Sequence, residues 1–385
     1  MREPESYYSA MGSYAYLPLE RVVFGQPAVP AVAEEVTRIG ARRVFVVCSR
    51  SLSRNTAVIR EMANALGPKY AGLFDECVAH TPWPSVIAAA DAVRAADPDL
   101  ILTVGGGTPI DTVKILQICL AHGAKRVEDL DTLRAATRPS PVRQVAVPTT
   151  LSGAEFSNLG GGTDPRTRIK HSFTGTDIGP RSVILDPAIT LHTPEWLWLS
   201  TGIRGVDHAV EALCSVDAHP YCDGLALHAL RLFAEGLPRT KAAPEDLAAR
   251  LLCQQASWLA ASTIARVNYG ASHGIGHALG GTADVPHGHT SCIMLPHVLR
   301  YNEPATAAKQ KLIAEALGKP GETAADAVAA LVRSLGQPAT LREAGVKREQ
   351  LAAVAASSIK NRWVLANPQP IRSEDDVMRL LEAAW

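Results

Sequence analysis

Four histidines fall within the nineteen residues 271–289, ASHGIGHALGGTADVPHGH, among small and apolar neighbours. His273 and His277 are four residues apart, so on a helix their imidazoles share one face. His287 follows Pro286, which is expected to close a short loop and fold this third ring back toward the first pair, with His289 as a further member of the group. Converging imidazoles act as metal ligands, as proton carriers or as packed hydrogen-bonding groups. The small residues beside them leave room for a ligand, which favours a chemical role over helix capping.

A second candidate lies where the apolar run 99–104 empties into Gly105-Gly106-Gly107-Thr108-Pro109-Ile110-Asp111. Three glycines between a strand and a helix opened by Pro109 let backbone N–H groups approach a phosphate, and the helix dipole favours the negative charge. The spacing is not G-x-G-x-x-G, so the loop alone does not distinguish a pyrophosphate site from a tight turn. A third candidate follows the strand expected at 143–147, where Thr149, Thr150 and Ser152 stand at the end of a strand, the place at which open α/β sheets bind ligands.

These groups must be positioned by elements of two textures. From residue 19 to about 187 strands and helices alternate: strands at 21–25, 43–48, 69–74, 99–104, 143–147 and 182–185, helices at 31–39, 55–66, 84–96 and 109–122, and a hairpin over 160–173. Strand, helix, strand at this pitch means crossover units and a parallel sheet. Beyond Pro194 the pattern is helical almost throughout, with helices expected at 202–216, 218–234, 244–266 and 271–279 and on to Trp385. Two domains follow, an α/β domain at 14–190 and an all-helical domain at 191–385; residues 1 to about 13 read as a polar tail.

Lys+Arg and Asp+Glu are equal at 38 each, so no global field favours nucleic acid or an anionic membrane. The expected partner is a small molecule. Seven scattered cysteines without a C-x-x-C pair point to reduced thiols and a cytoplasmic setting, and no apolar run has the length of a membrane span.

The motifs GGGTPIDTVK (105–114), PTTLSGAE (148–155), TGIRGVDHAVEA (201–212), HGIGHALGG (273–281) and HGHTSCIMLPHVLRYN (287–302) resemble, in order and spacing, the iron-containing (group III) alcohol dehydrogenases, and among them the maleylacetate reductase-like branch. The resemblance spans nearly the whole chain. It implies an N-terminal Rossmann-like dinucleotide-binding domain, a C-terminal helical domain and an active site in the cleft between them, in a homodimer. It places Gly105, Gly106, Gly107, Thr108 and Asp111 in the phosphate-binding loop and Thr149, Thr150 and Ser152 along the nicotinamide. His208, His273 and His287 fall on three metal-ligand positions, and His277 on that of a histidine near nicotinamide and substrate.

The fourth ligand position of the family, four residues before the first histidine, is Arg204 here. A guanidinium has no lone pair for a metal and stays charged at ordinary pH. The expectation is therefore an enzyme without iron or zinc, in which Arg204 is paired with Asp207 three residues on and acts as the fixed cation. His208, His273, His277 and His287 remain as catalytic candidates, and Arg266 as a second site for a carboxylate. A three-histidine iron or zinc site acting on an alcohol or aldehyde is the alternative. After the strand at 43–48 stand Ser49 and Arg50, with no adjacent carboxylate to repel a 2′-phosphate, so both NADH and NADPH are expected to bind. The implied reaction is reduction of an anionic, unsaturated oxo-acid of the maleylacetate type.

Overall fold

The computed structural model describes residues 13–167 and 169–385; the expected polar tail thus falls almost wholly outside the described residues. The chain divides into two compact units, one of them Tyr16–Pro194 and the other Glu195–Trp385 together with residues 13–15.

In the first unit the strands are β1 (Arg21–Phe24), β2 (Val44–Cys48), β3 (Tyr70–Phe74), β4 (Leu100–Gly105), β5 (Arg143–Pro148), β6 (Leu159–Asp164), β7 (Ile169–Thr174) and β8 (Ser182–Leu185). Six of them form one sheet in the order β1-β8-β5-β4-β2-β3. Every pair in it is parallel. The apolar texts VFVVC of β2 and LILTVG of β4 are buried along their whole length, as strands covered on both faces must be. The helices α1 (Ala28–Ile39), α2 (Arg50–Asn55), α3 (Val58–Leu66), α4 (Trp83–Ala96) and α5 (Gly107–His122) supply those covers. Two apolar clusters result, one built on Val32, Val46, Met62 and Leu102, the other on Val47, Trp83, Ile101 and Ile115.

β4 has β2 on one side and β5 on the other. The chain order reverses there, and in open α/β sheets the crevice at such a reversal, beyond the carboxyl ends of the strands, is where ligands bind. The residues at those three ends are Ser49, Gly105–Gly107 and Thr149–Ser152. The expected hairpin is the antiparallel pair β6–β7. The helix expected at 55–66 starts only at Val58, as α3, and a short α2 not expected from the sequence precedes it; α2 ends at Asn55 because the Thr56 hydroxyl donates to the Leu52 carbonyl (2.6 Å) and Thr56 itself is extended.

The second unit consists of α6 (Glu195–Leu213), α7 (Pro220–Ala242), α8 (Leu247–Ala261), α9 (Ala271–Ala283), α10 (His287–Ala316), α11 (Ala324–Ser334), α12 (Leu351–Ser358), α13 (Arg362–Leu365) and α14 (Glu374–Ala383). α6 packs on α7 and α10, and α9 on α10, α12 and α13. α8 stops five residues before the expected end at 266, because the hydroxyls of Ser262 (to the Trp258 carbonyl, 2.8 Å) and Thr263 (to the Ala260 carbonyl, 2.6 Å) satisfy its last turn. Ala265 then takes a left-handed φ of 59°, and the chain turns into α9. All seven cysteines are free, and no helix among the described residues is long and apolar enough to cross a membrane.

Candidate active site

At the carboxyl end of β4 the backbone is packed so closely that side chains are excluded. A Cβ on Gly106 would lie 2.8 Å from Thr150 Cγ2, and one on Gly107 3.0 Å from Ser152 Oγ. Gly105 has φ +148°, and a Cβ there would meet Pro109 at 2.9 Å and Ser49 Oγ at 3.1 Å. Ser49, the glycines, Thr150 and Ser152 are thereby gathered at one place, with the Thr150 and Ser152 hydroxyls 3.2 Å apart. Asp111, near the start of α5, reaches β6: its Oδ2 accepts from the Gly161 N–H (3.0 Å) and its Oδ1 is 3.4 Å from Lys114 Nζ. Its observed contacts clamp β6 to α5. Lys170, which the sequence reading did not single out, crosses Gly161 beside the Asp111 carboxylate, where a Cβ on the glycine would lie 2.3 Å from its Cε.

Gly106→Val tests this loop. The added side chain must displace Thr150 or lift the backbone, an overpacking cost of about 1–3 kcal/mol that weakens nucleotide binding by about tenfold or more. Titration of NADH and NADPH fluorescence against both proteins measures it, and wild-type affinity in the variant contradicts a loop-bound pyrophosphate.

The absence of a carboxylate near Ser49 and Arg50 is a property of the linear sequence only. Folding brings two carboxylates from the end of β3. Arg50 pairs with Glu76 (3.6 Å), Arg54 with Asp75 (3.3 Å), and the Ser53 hydroxyl donates to Asp75 (2.6 Å). These partners hold Asp75 below the usual carboxylate range, with the Ser53 hydrogen bond the first cause.

In the second unit α6 carries Arg204, Asp207, His208 and Glu211, all buried. The Arg204 guanidinium donates to Ser291 Oγ (3.0 Å) and lies 3.7 Å from Asp207 Oδ2. Gly276 packs against Thr290 beside it: a Cβ there would lie 2.8 Å from Thr290 Oγ1, but at an ordinary 3.7 Å from Arg204 Nη1. Asp207 Oδ2 also accepts from Ser291 Oγ (2.6 Å) and Ser272 Oγ (2.9 Å). Burial pushes the Asp207 carboxyl up, but His273, Arg204 and the Ser291 hydroxyl together hold it below its ordinary value.

One turn further along α6, Glu211 receives the N-terminus of α9. It accepts from the backbone N–H groups of Ser272 (2.8 Å) and His273 (3.2 Å), and its Oε2 is 2.7 Å from His273 Nδ1. The other His273 nitrogen is 2.8 Å from His208 Nδ1. Glu211, His273 and His208 thus form a continuous hydrogen-bonded row. Tyr269 and Trp363 wall it off, with Tyr269 4.6 Å and Trp363 5.8 Å from the His273 ring centre. His277 also lies against Trp363 (4.8 Å) and next to His287 (5.8 Å). His289 stacks near Trp196 (5.4 Å). Arg266 lies over the ring of Tyr14 (5.7 Å) and donates to its neighbour's carbonyl.

Both ring nitrogens of His273 are engaged, Nδ1 by Glu211 (2.7 Å) and Nε2 by His208 Nδ1 (2.8 Å), so a metal ligated by this ring would have to replace one of these contacts. Among the described residues the group whose possible donor atoms lie close together is not the three histidines but Asp207, Glu211 and His273. Three of its four carboxylate oxygens are already engaged, by Ser272, Ser291 and His273, while the buried Asp207 Oδ1 has no hydrogen-bond partner, and the Arg204 guanidinium stands beside the group. A divalent ion there would meet repulsion on the order of several kcal/mol from that charge.

Glu211, Ser272, Ser291, Tyr269 and Trp363 complete a site that the sequence had populated with Arg204, Asp207 and histidines. A carboxylate in the apolar text HAVEAL, three residues after His208, was a usable signal for Glu211. Nothing in the local sequence marks the others.

Sequence models of two families match, the N-terminal "iron-containing alcohol dehydrogenase" over residues 19–187 and "Fe-containing alcohol dehydrogenase family, C-terminal" over residues 198–385. A maleylacetate reductase of Sphingobium indicum is 32% identical over 372 residues, covering 96% of this chain and 97% of that one. The crystal structure of the maleylacetate reductase from Agrobacterium tumefaciens superposes with a TM-score of 0.81 at 29% identity, covering 97% and 99% of the two chains. A 1,3-propanediol oxidoreductase structure gives 0.88, also at 29% identity, covering 97% and 100%.

Proposed function

Because the chain belongs to the iron-containing alcohol dehydrogenase family and is an NAD(P)-dependent oxidoreductase, we propose that it reduces a carboxylated, unsaturated oxo-acid of the maleylacetate type without a bound metal. The observation that carries this reading is Arg204: a buried guanidinium held by Asp207 and Ser291 in the place where the resemblance expects an anionic ligand. A fixed cation suits an anionic substrate and an anionic transition state better than a neutral alcohol.

In this reading hydride passes from the reduced nicotinamide to the carbon–carbon double bond. The electron pair moves to the ketone oxygen, and the transient enolate is stabilised by Arg204. A proton from the imidazole group, delivered to carbon, completes the saturated oxo-acid and leaves the oxidised nucleotide. His208 is the member of the hydrogen-bonded row whose Nε2 lies outside the His208–His273 contact, and His277 the alternative donor. The glycine loop, Thr150 and Ser152 hold the nucleotide in a homodimer of the usual family kind.

The test is an assay of maleylacetate with NADH and with NADPH, beside primary alcohols with the oxidised nucleotides, on protein analysed for iron and zinc. Turnover of the oxo-acid that survives chelation supports the proposal. Equal or better turnover of simple alcohols, dependent on about one tightly held metal per chain, overturns it in favour of the metal-dependent alcohol dehydrogenase.

A further inference from the structure

We infer that Asp207 and Ser291 are positioning residues that set the direction of the Arg204 guanidinium, so that the place of a metal is taken by an ordered three-residue unit and not by one mobile cation. The inference rests on the proposed role of Arg204.

Arginine has several rotatable bonds, and a loose guanidinium loses much of its value to a developing oxyanion because it must be ordered during the reaction. Here the ordering is built in. Arg204 Nη1 donates to Ser291 Oγ at 3.0 Å, and the Ser291 hydroxyl donates in turn to Asp207 Oδ2 at 2.6 Å. With one proton, the Ser291 hydroxyl can give to Asp207 only if it accepts from Arg204, so the two bonds fix each other's sense. The Ser272 hydroxyl (2.9 Å) adds a second donor to the same carboxylate oxygen and keeps it from turning.

Asp207 and Ser291 are fully buried and Arg204 is 7% exposed, so no solvent competes for these contacts. The direct Arg204–Asp207 separation of 3.7 Å exceeds a hydrogen bond. The carboxylate therefore neutralises the guanidinium at a distance while Ser291 supplies the directional contact. Only one guanidinium nitrogen is used on Ser291, which leaves the remaining N–H groups of Arg204 available to a substrate oxygen.

A double-mutant cycle separates positioning from mere packing. Ser291→Ala in the otherwise intact enzyme is expected to lower kcat for the oxo-acid about tenfold, the size of one hydrogen bond to a charged group, with the KM for NADH unchanged. Ser291→Thr, which keeps the hydroxyl, is expected to retain most of the activity. In an Arg204→Met background, Ser291→Ala is expected to cost nothing further. Asp207→Asn, which keeps the shape and removes the charge, is the second variant and is expected to show the same coupling, with thermal melts confirming that each protein is folded. Unchanged kcat in Ser291→Ala, or an equal fold-loss in both backgrounds, overturns the inference while leaving the role of Arg204 intact. Wild-type kcat in Arg204→Met overturns that role and, with it, the inference.

Discussion

Arg204→Met lowers kcat for an unsaturated oxo-acid by about a hundred- to a thousandfold, the range found when one preorganised donor to an oxyanion is removed, and leaves the Kd of NADH within about twofold. Methionine keeps the unbranched stem of the side chain as far as the Nε position and omits the guanidinium carbon and its two terminal nitrogens. What disappears is the charge. The substitution also strands Asp207, which is fully buried, and an uncompensated buried carboxylate costs about 3–5 kcal/mol of stability. Arg204→Met/Asp207→Asn removes both charges together and is expected to recover most of the melting temperature without recovering activity. That contrast separates loss of fold from loss of chemistry. A double variant that regains both stability and turnover shows that the guanidinium serves only to neutralise Asp207. Arg204→Asp carries the same logic to the metal: it exchanges a repelling cation for an oxygen ligand, and a gain in affinity for Fe²⁺ or Zn²⁺ is expected to accompany the loss of native activity.

The two candidate regions, one in each unit, were not equally legible in the sequence. The nucleotide loop is local: an apolar run, three glycines and Pro109 stand next to one another in the chain, and the parallel sheet that presents them follows from strand–helix alternation. The crowding of Gly106 by Thr150 and of Gly107 by Ser152 joins segments about forty residues apart, yet both sit at strand ends that the topology makes neighbours. The histidine region is different. Its key contacts run from Arg204 to Ser291 and from Glu211 to His273, across 87 and 62 residues of helical text with no common spacing. Helical periodicity says which residues turn inward but not which inward residues meet. For that reason the four histidines of 271–289 separate: His273 meets His208 of α6, His277 lies beside His287, and His289 lies beside Trp196. The same limit applies to Asp75 and Glu76, which reach Arg54 and Arg50 only once β3 lies beside β2. Short-range rules supplied the helix faces; long-range packing decided the partners.

Glu155→Gln makes the protein more stable relative to wild type as pH rises from about 5 to 8. Glu155 is 2% exposed in the turn after Ser152, and its Oε2 has no hydrogen-bond partner. The neighbouring cation, Lys114, is engaged elsewhere: Nζ donates to the carbonyls of Ala154 (2.5 Å) and Leu159 (2.8 Å) and to Ser157 Oγ (3.1 Å), and lies 3.4 Å from Asp111 Oδ1. Burial therefore dominates and raises the Glu155 carboxyl from its ordinary 4.5 to about 7, with Lys114 pulling down and Asp111 pushing up. Because the folded value lies above the unfolded one, the folded chain holds this proton more tightly. The resulting stability is fully present below pH 4.5 and is lost as pH rises through about 7. A difference of that size corresponds to roughly 3 kcal/mol. Glutamine cannot ionise, so it carries the cost of an amide at all pH values but escapes the loss. Melting temperatures of the two proteins, measured in parallel across that range, should therefore diverge in favour of the variant as pH rises. Curves that stay parallel place the Glu155 carboxyl near its ordinary value and mean that water or a cation reaches Oε2 beneath the glycine loop.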